Sequence, residues 1–97
     1  MVGTLLSDDT ILGTAGINAD GAFGAVTPPL YLSANYAFAG YGQPRAYDYS
    51  RSGNPTRDLL ATALVQLERG AGAVVTSSGL AAIDLVLALL KPGALVI

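Results

Sequence analysis

The chain has 97 residues, of which 52% are hydrophobic and only 12% charged, with a formal net charge of −2. About a quarter of the residues of an ordinary globular domain are charged, so this composition is too apolar for a small independent domain and predicts faces that are covered by more protein. The charge balance excludes a nucleic-acid footprint, and the lack of histidine and cysteine excludes Ser-His-Asp and Cys-His catalysis, disulfides and histidine-bearing zinc sites; we predict no metal site.

The first half of the chain reads as irregular structure after one short helix. Asp8, Asp9 and Thr10 are expected to open a helix that runs through Ala15 and stops at Gly16. Residues 17–29, which end in two prolines, predict an extended arm or loop. So long an irregular segment is uncommon in a compact domain unless it is functional or packs on a partner. Residues 30–38 are apolar without a clean period, and residues 40–52 form a second loop.

The second half carries regular patterns. Asn54 is a favourable N-cap, Pro55 suits the first helical position, and Gly70 stands where a C-terminal glycine is expected. Between them, leucines and alanines recur at helical spacing: Leu59, Leu60, Ala63, Leu64 and Leu67.

After Gly70 the pattern alternates between predicted strand and predicted helix. Residues 73–76 predict a buried strand. Residues 79–90 predict a helix so apolar that it should be buried, with Asp84 on a buried partner, and residues 91–93 should end it. Residues 94–97 start another predicted strand. This order indicates an α/β fold with a largely parallel sheet.

Membrane insertion and export are not predicted. The apolar run at residues 80–90 is shorter than the roughly 20 residues of a membrane span, and Asp84 interrupts it. No basic residue precedes Asp8, so a secretory signal is not expected, and we expect a cytoplasmic protein.

Two segments have the chemistry of phosphate binding. Residues 47–57 read Tyr-Asp-Tyr-Ser-Arg-Ser-Gly-Asn-Pro-Thr-Arg and place Arg51 among hydroxyl groups just before a helix start. An arginine fork matches the oxygens of a phosphate. Residues 76–83 read Thr-Ser-Ser-Gly-Leu-Ala-Ala-Ile and carry the predicted strand into a helix, whose N-terminal amides attract an anion.

These two segments together make the chain resemble the cystathionine γ-synthase-like family, the pyridoxal-phosphate (PLP) enzymes of cysteine and methionine metabolism. The resemblance extends from about residue 14 to Ile97 and includes residues 27–33, 67–74 and 91–93. It implies the incomplete N-terminal portion of a fold-type I PLP-dependent transferase. Residues 1–53 would be the N-terminal arm and subunit-contact loop, and residues 54–97 the start of the large PLP-binding domain.

The resemblance also implies which residues bind the cofactor. Tyr49 and Arg51 match the pair that binds the PLP phosphate of the neighbouring subunit, while Ser50 should point away from it. Gly79 and Leu80 match the turn that holds the phosphate through backbone amides; the family commonly has methionine where this chain has Leu80, and a backbone contact does not need that side chain. The resemblance places Tyr49 near the reacting substrate, but no residue is assigned as catalytic.

The remaining polar residues of interest receive structural interpretations. Ser77 and Ser78 are expected to cap the second predicted helix. Arg57 and Asp58 are interpreted as solvated or structural. Lys91, the only lysine, is interpreted as a helix-end cation that complements the dipole. In the family the Schiff-base lysine lies much later than residue 97, so we expect these residues to be inactive by themselves.

The residues before Arg51 resemble the cystathionine γ-synthase branch, for which the reaction would be γ-replacement on an O-acylated homoserine with cysteine. Cystathionine γ-lyase, methionine γ-lyase and homoserine sulfhydrylase share the motifs and remain open. The implied partners are a small amino-acid substrate and further copies of the chain, a dimer of dimers, with no nucleic acid and no membrane. Two other classes also remain open: a non-catalytic remnant that acts only by association, and an unrelated anion-binding α/β module.

The interpretation of Lys91 is testable with the 97 residues alone. Mixed with PLP and reduced with borohydride, the chain should give no stoichiometric, specific adduct at Lys91, because that lysine is not the cofactor-binding one. Peptide mapping by mass spectrometry measures the labelled site. A specific stoichiometric adduct on Lys91 would contradict the interpretation.

Overall fold

The computed structural model describes residues 5–97, in which three helices are separated by long connections. They are α1 (Asp8–Thr14), α2 (Pro55–Glu68) and α3 (Gly79–Leu87). The radius of gyration is 17.2 Å, whereas a compact chain of this length has about 13 Å. Among residues 5–97, Ile11 is the one buried hydrophobic side chain. The described chain therefore lacks a closed core of its own. The first four residues of the predicted arm lie outside the described residues.

Helix α1 forms where it is predicted and is one residue shorter. The Ser7 side chain caps it by accepting a hydrogen bond from the Thr10 amide at 3.3 Å. Gly16 follows with a positive φ of 79°, and a Cβ atom there would lie 2.7 Å from Cγ of Pro28. The arm therefore turns back over the end of α1, and the close approach of Pro28 needs a residue without a side chain.

The backbone of the predicted arm is bound locally by the side chain of Asp20, which is buried. Its carboxylate accepts hydrogen bonds from the backbone amides of Ala25 (2.9 Å), Ala22 (3.0 Å) and Phe23 (3.3 Å). These bonds, with that of Ala25 the most important, lower the pKa of Asp20 below its ordinary value. These bonds stabilise the charged form of Asp20. Their contribution to the stability of the folded arm is therefore present above the ordinary pKa, and it is lost as the pH falls through the lowered pKa of Asp20.

Helix α2 begins as predicted, with Asn54 as N-cap and Pro55 in the first turn. Its C-terminal end differs from the prediction. Arg69, not Gly70, takes the left-handed conformation (φ 52°), and the amides of both residues donate to the Val65 carbonyl. The Arg69 side chain donates to the Leu67 carbonyl at 3.1 Å and forms an exposed ion pair with Asp8 at 3.3 Å, which ties the end of α2 to the start of α1.

Helix α3 begins at Gly79 as predicted but ends at Leu87 instead of Leu90, followed by a C-cap at Ala88. Three expectations about it do not hold within residues 5–97. None of its residues is buried, and Asp84 is exposed. Lys91 lies beyond the cap, so it is not in the last turn to complement the dipole. Helix α3 is apolar as predicted, but no other segment of residues 5–97 covers its surface.

No helix in the described part of the chain is long and apolar enough to cross a membrane.

The two predicted strands, residues 73–76 and 94–97, do not form a sheet here. The secondary structure of residues 5–97 contains two isolated β-bridges and no longer ladder. A strand is defined by hydrogen bonds to a neighbour, and neither predicted strand has a partner strand within the described residues. Both segments therefore remain unpaired within residues 5–97, where the rest of the predicted sheet is absent.

The exposed apolar surface predicts how the 97 residues behave alone. Large side chains such as Leu32 (90% exposed) and Leu80 (77% exposed) face solvent, and contiguous apolar surface promotes association. We expect the purified chain to self-associate and to melt without a sharp transition, as measured by sedimentation velocity and thermal circular dichroism. A soluble monomer with one cooperative transition would contradict this expectation.

Candidate functional site

The loop that carries Tyr49 and Arg51 is held by a short antiparallel ribbon. The amide of Tyr36 donates to the Asp48 carbonyl at 3.0 Å, and the amide of Ser50 donates to the Ala34 carbonyl at 2.8 Å. These bonds form the bridge between Asn35 and Tyr49. The sequence does not predict this ribbon, because residues 30–38 and 40–52 lack the alternation of polar and apolar residues that identifies a half-buried strand.

Asn54 attaches this ribbon to the start of α2. Its side-chain oxygen accepts hydrogen bonds from the amides of Thr56 (2.9 Å) and Arg57 (3.1 Å), which is the capping role predicted for it. Its side-chain nitrogen donates to the Tyr31 carbonyl at 3.1 Å and to the Tyr36 hydroxyl at 3.3 Å. A single residue thus caps the helix and binds the segment that enters the ribbon.

The next residues of α2 bind the same loop. The Thr56 hydroxyl accepts a hydrogen bond from the Tyr31 amide at 2.9 Å. Arg57 donates to the Ser50 carbonyl at 2.9 Å and to the Arg51 carbonyl at 3.5 Å. The interpretation of Arg57 as structural is confirmed by these contacts. The run of three polar residues after Pro55 is the feature of the sequence from which such contacts could be predicted.

The carboxylate of Asp58 provides another anchor for the loop. It accepts a hydrogen bond of 2.8 Å from the Tyr47 hydroxyl. This bond is the main reason that the pKa of Tyr47 lies above its ordinary value, with desolvation second, because both favour the neutral phenol. The Tyr47 ring also packs against Tyr36, with 5.8 Å between ring centroids, and a Cβ atom at Gly53 would lie 3.1 Å from it.

The ribbon and its anchors bring two of the predicted site residues together. The Arg51 guanidinium donates a hydrogen bond of 3.1 Å to the Tyr49 hydroxyl and lies 5.4 Å from the centroid of that ring. Both residues are exposed, whereas Ser50 between them is half-buried. Amides of Ser52 and Gly53 both donate to the Tyr49 carbonyl, closing a turn after the pair. The chain therefore presents a cation and a phenol side by side at its surface.

The other predicted pair, Gly79 and Leu80, lies at the N-terminus of α3. Ser78 caps this helix as predicted: its hydroxyl accepts from the Ala81 amide at 3.1 Å, and its carbonyl accepts from the Ala82 amide at 3.2 Å. The amides of Gly79 and Leu80 have no hydrogen-bond acceptor within residues 5–97. Two backbone donors at the positive end of a helix fit a phosphate oxygen.

The structure does not bring the two pairs into one cavity. Arg51 lines an open cavity of about 320 Å³ together with Asp58 and residues 73–75. Leu80 lines a different cavity, of about 450 Å³, together with Ser78 and Asp84. Each pair offers hydrogen-bond donors to an anion, and one residue of each pair lines a cavity that the other pair does not. The assignment of Tyr49, Arg51, Gly79 and Leu80 to cofactor binding stays a prediction.

Comparison with known proteins identifies the family. The model of the Cys/Met metabolism PLP-dependent enzymes matches residues 9–97. The chain belongs to this family. The resemblance noted in its sequence is confirmed, and the family is PLP-dependent.

Individual relatives agree with the family match. Over 89 residues the chain is 53% identical to cystathionine γ-synthase of Escherichia coli (strain K12), which covers 91% of this chain and 23% of that protein. It is 47% identical over 78 residues to cystathionine β-lyase of Lactococcus lactis subsp. cremoris (strain MG1363), covering 80% and 20% of the two chains. The chain therefore spans less than a quarter of the length of these curated relatives.

Solved structures confirm the fold. Cystathionine γ-synthase from Xanthomonas oryzae pv. oryzae, crystallised in complex with aminoacrylate and cysteine, matches with a TM-score of 0.87 and 57% identity, covering 93% of this chain and 24% of that one. Cystathionine γ-lyase from Lactobacillus plantarum, complexed with L-serine, matches with a TM-score of 0.80 and 35% identity, covering 91% and 23%. The chain corresponds to the N-terminal part of a fold-type I PLP enzyme, as predicted.

The contact between Tyr47 and Asp58 yields a pH prediction. Since the pKa of Tyr47 is raised, the stabilisation from this bond is present below the ordinary value of 10.0 and is lost as the pH rises through the raised pKa. Replacement of the acceptor, Asp58→Asn, should move the pKa of Tyr47 down toward its ordinary value. A pH titration of the Tyr47 ring resonance by NMR measures the shift. Asp84→Asn, on exposed α3, is the control and should leave it unchanged. An unaltered Tyr47 titration in Asp58→Asn would contradict the contact.

Proposed function

We propose that this chain is the N-terminal part of a cytoplasmic, homo-oligomeric PLP enzyme that acts as a cystathionine γ-synthase. Its reaction is γ-replacement on an O-acylated homoserine with cysteine. The observation that carries the proposal is the exposed Tyr49–Arg51 pair on its anchored ribbon. High identity to a cystathionine γ-synthase over 91% of the chain supports the choice of reaction.

The residues of this chain would act on the phosphate end of the cofactor. Arg51 donates charge-assisted hydrogen bonds to the phosphate oxygens, and Tyr49 donates its phenolic hydrogen, which the bond from Arg51 leaves available. The amides of Gly79 and Leu80 donate to phosphate from the N-terminus of α3. When bound, PLP supplies an electron sink for the chemistry at the substrate carbon atoms.

The two pairs would serve two different sites of an oligomer. Tyr49 and Arg51 complete the site of a neighbouring subunit, while Gly79 and Leu80 belong to the site of their own. The separate cavities lined by Arg51 and Leu80 support this arrangement. The exposed apolar side chains of the arm, among them Phe23 (95%) and Leu32 (90%), supply surface for subunit contact.

A related reaction within the family is the second candidate. The match to a cystathionine β-lyase at 47% identity favours it over unrelated functions. The complete enzyme distinguishes the two when it is assayed with an O-acylhomoserine plus cysteine and, separately, with cystathionine alone. Cystathionine formation as the faster reaction supports the synthase, and faster breakdown of cystathionine overturns that choice.

The role of Arg51 in a neighbouring site predicts complementation between defective subunits. In the complete enzyme, Arg51→Ala should weaken PLP retention by roughly ten- to a hundredfold, since a charge-assisted hydrogen bond contributes about 1.5–3 kcal/mol. A subunit in which the Schiff-base lysine is replaced would have no catalytic activity in its own site. After random subunit exchange of an equimolar mixture, one of the two sites in each mixed dimer has both groups intact. Activity should therefore return to at most about a quarter of wild type.

Each variant alone, exchanged with itself, is the control, and sedimentation should show that both assemble. Mixed samples that remain as inactive as the separate variants, although both fold and dimerise, would show that Arg51 does not act across the subunit interface.

A further inference from the structure

Arg57 makes contacts that are unusual for a residue in the first turn of a helix. Within residues 5–97 its guanidinium forms no ion pair with a carboxylate. It donates to the carbonyls of Ser50 at 2.9 Å and Arg51 at 3.5 Å. Arg57 is half-buried, whereas Arg51 is exposed. The two arginines, six positions apart, therefore differ in their contacts. Arg57 donates to main-chain carbonyls, whereas the side chain of Arg51 is accessible to a ligand.

The two carbonyls that Arg57 binds belong to the peptide groups on either side of the Arg51 Cα atom. The orientation of these two peptide groups determines the backbone dihedrals of Arg51, and hence the direction in which its side chain leaves the chain. The planar, forked guanidinium is suited to bind both acceptors at once. The turn from Tyr49 to Gly53 fixes the neighbouring backbone but makes no bond to either of these carbonyls.

We infer that Arg57 is a positioning residue, which acts through Arg51 by fixing the backbone from which the phosphate-binding guanidinium projects. The inference rests on the proposed phosphate-binding function of Arg51. Two donors of the Arg57 guanidinium are taken by main-chain carbonyls, and Arg57 lines the same cavity as Arg51, so a double-mutant cycle must separate positioning from direct phosphate binding. If Arg57 acts through Arg51, its effect on cofactor binding should vanish when the Arg51 side chain is absent.

The test is a double-mutant cycle in the complete enzyme, with PLP affinity of the apoenzyme as the readout. Affinity is measured by equilibrium titration with PLP, and the melting temperature of each apoenzyme is recorded separately. Arg57→Ala should weaken PLP binding about three- to tenfold, in the lower part of the range for coupled residues in contact. In an Arg51→Ala background, the same substitution should change the affinity by less than about twofold.

Two further variants separate positioning from charge and from general destabilisation. Arg57→Lys retains the charge but not the fork, so it should restore only part of the affinity. If Arg57→Ala does not fold, Arg57→Lys takes its place in the double-mutant cycle with Arg51→Ala. Arg69→Ala is the matched control, since it removes an arginine that binds a carbonyl at the other end of α2. It should leave PLP affinity unchanged even where it lowers the melting temperature.

The outcomes distinguish this inference from the function on which it rests. Unchanged PLP affinity in Arg51→Ala overturns the proposed function, and with it the inference. Weaker binding in Arg51→Ala but not in Arg57→Ala overturns the inference alone. So does an Arg57→Ala effect of equal size in both backgrounds, or full recovery of affinity with lysine, because neither fits a residue that acts through Arg51 by a two-carbonyl contact.

Discussion

The described structure depends on the contacts that the start of α2 makes with the loop before it. Within five residues, the chain uses the amide of Asn54, the hydroxyl of Thr56, the guanidinium of Arg57 and the carboxylate of Asp58 to bind the preceding loop. All four contacts join polar groups, and none needs a hydrophobic core. The segment from residue 31 to residue 58 can therefore hold a defined shape although almost no apolar side chain in residues 5–97 is buried.

This arrangement explains why the sequence predicted some features well. Helix starts depend on local chemistry, so Asn54 and Ser78 were identified as caps from residue type alone, and both cap the helices they precede. The helix ends just before Gly70 as its position indicated, but Arg69 and not Gly70 takes the left-handed conformation, and its side chain contacts Leu67 and Asp8. A contact between residues 61 positions apart cannot be predicted from a local pattern.

The other differences come from long-range structure. The buried helix and the two strands predicted after residue 70 are patterns of a protein interior, and the layers that would cover them are not part of residues 5–97. For the candidate site, the family motif identified Tyr49 and Arg51, and the structure places them in contact. The supporting ribbon and the double role of Asn54 could not be predicted, because apolar residues without a period give no register for pairing.

The contacts around Asn54 also bear on the order in which the protein becomes structured. The longest of these hydrogen bonds in sequence spans 25 residues, between Tyr31 and Thr56. Contacts of short sequence separation close quickly and cost little chain entropy, whereas sheet pairing between distant segments is slow. The loop with Tyr49 and Arg51 can thus become ordered as soon as α2 has formed. In the oligomer that we propose, the Tyr49–Arg51 pair would then already be in place when two subunits meet.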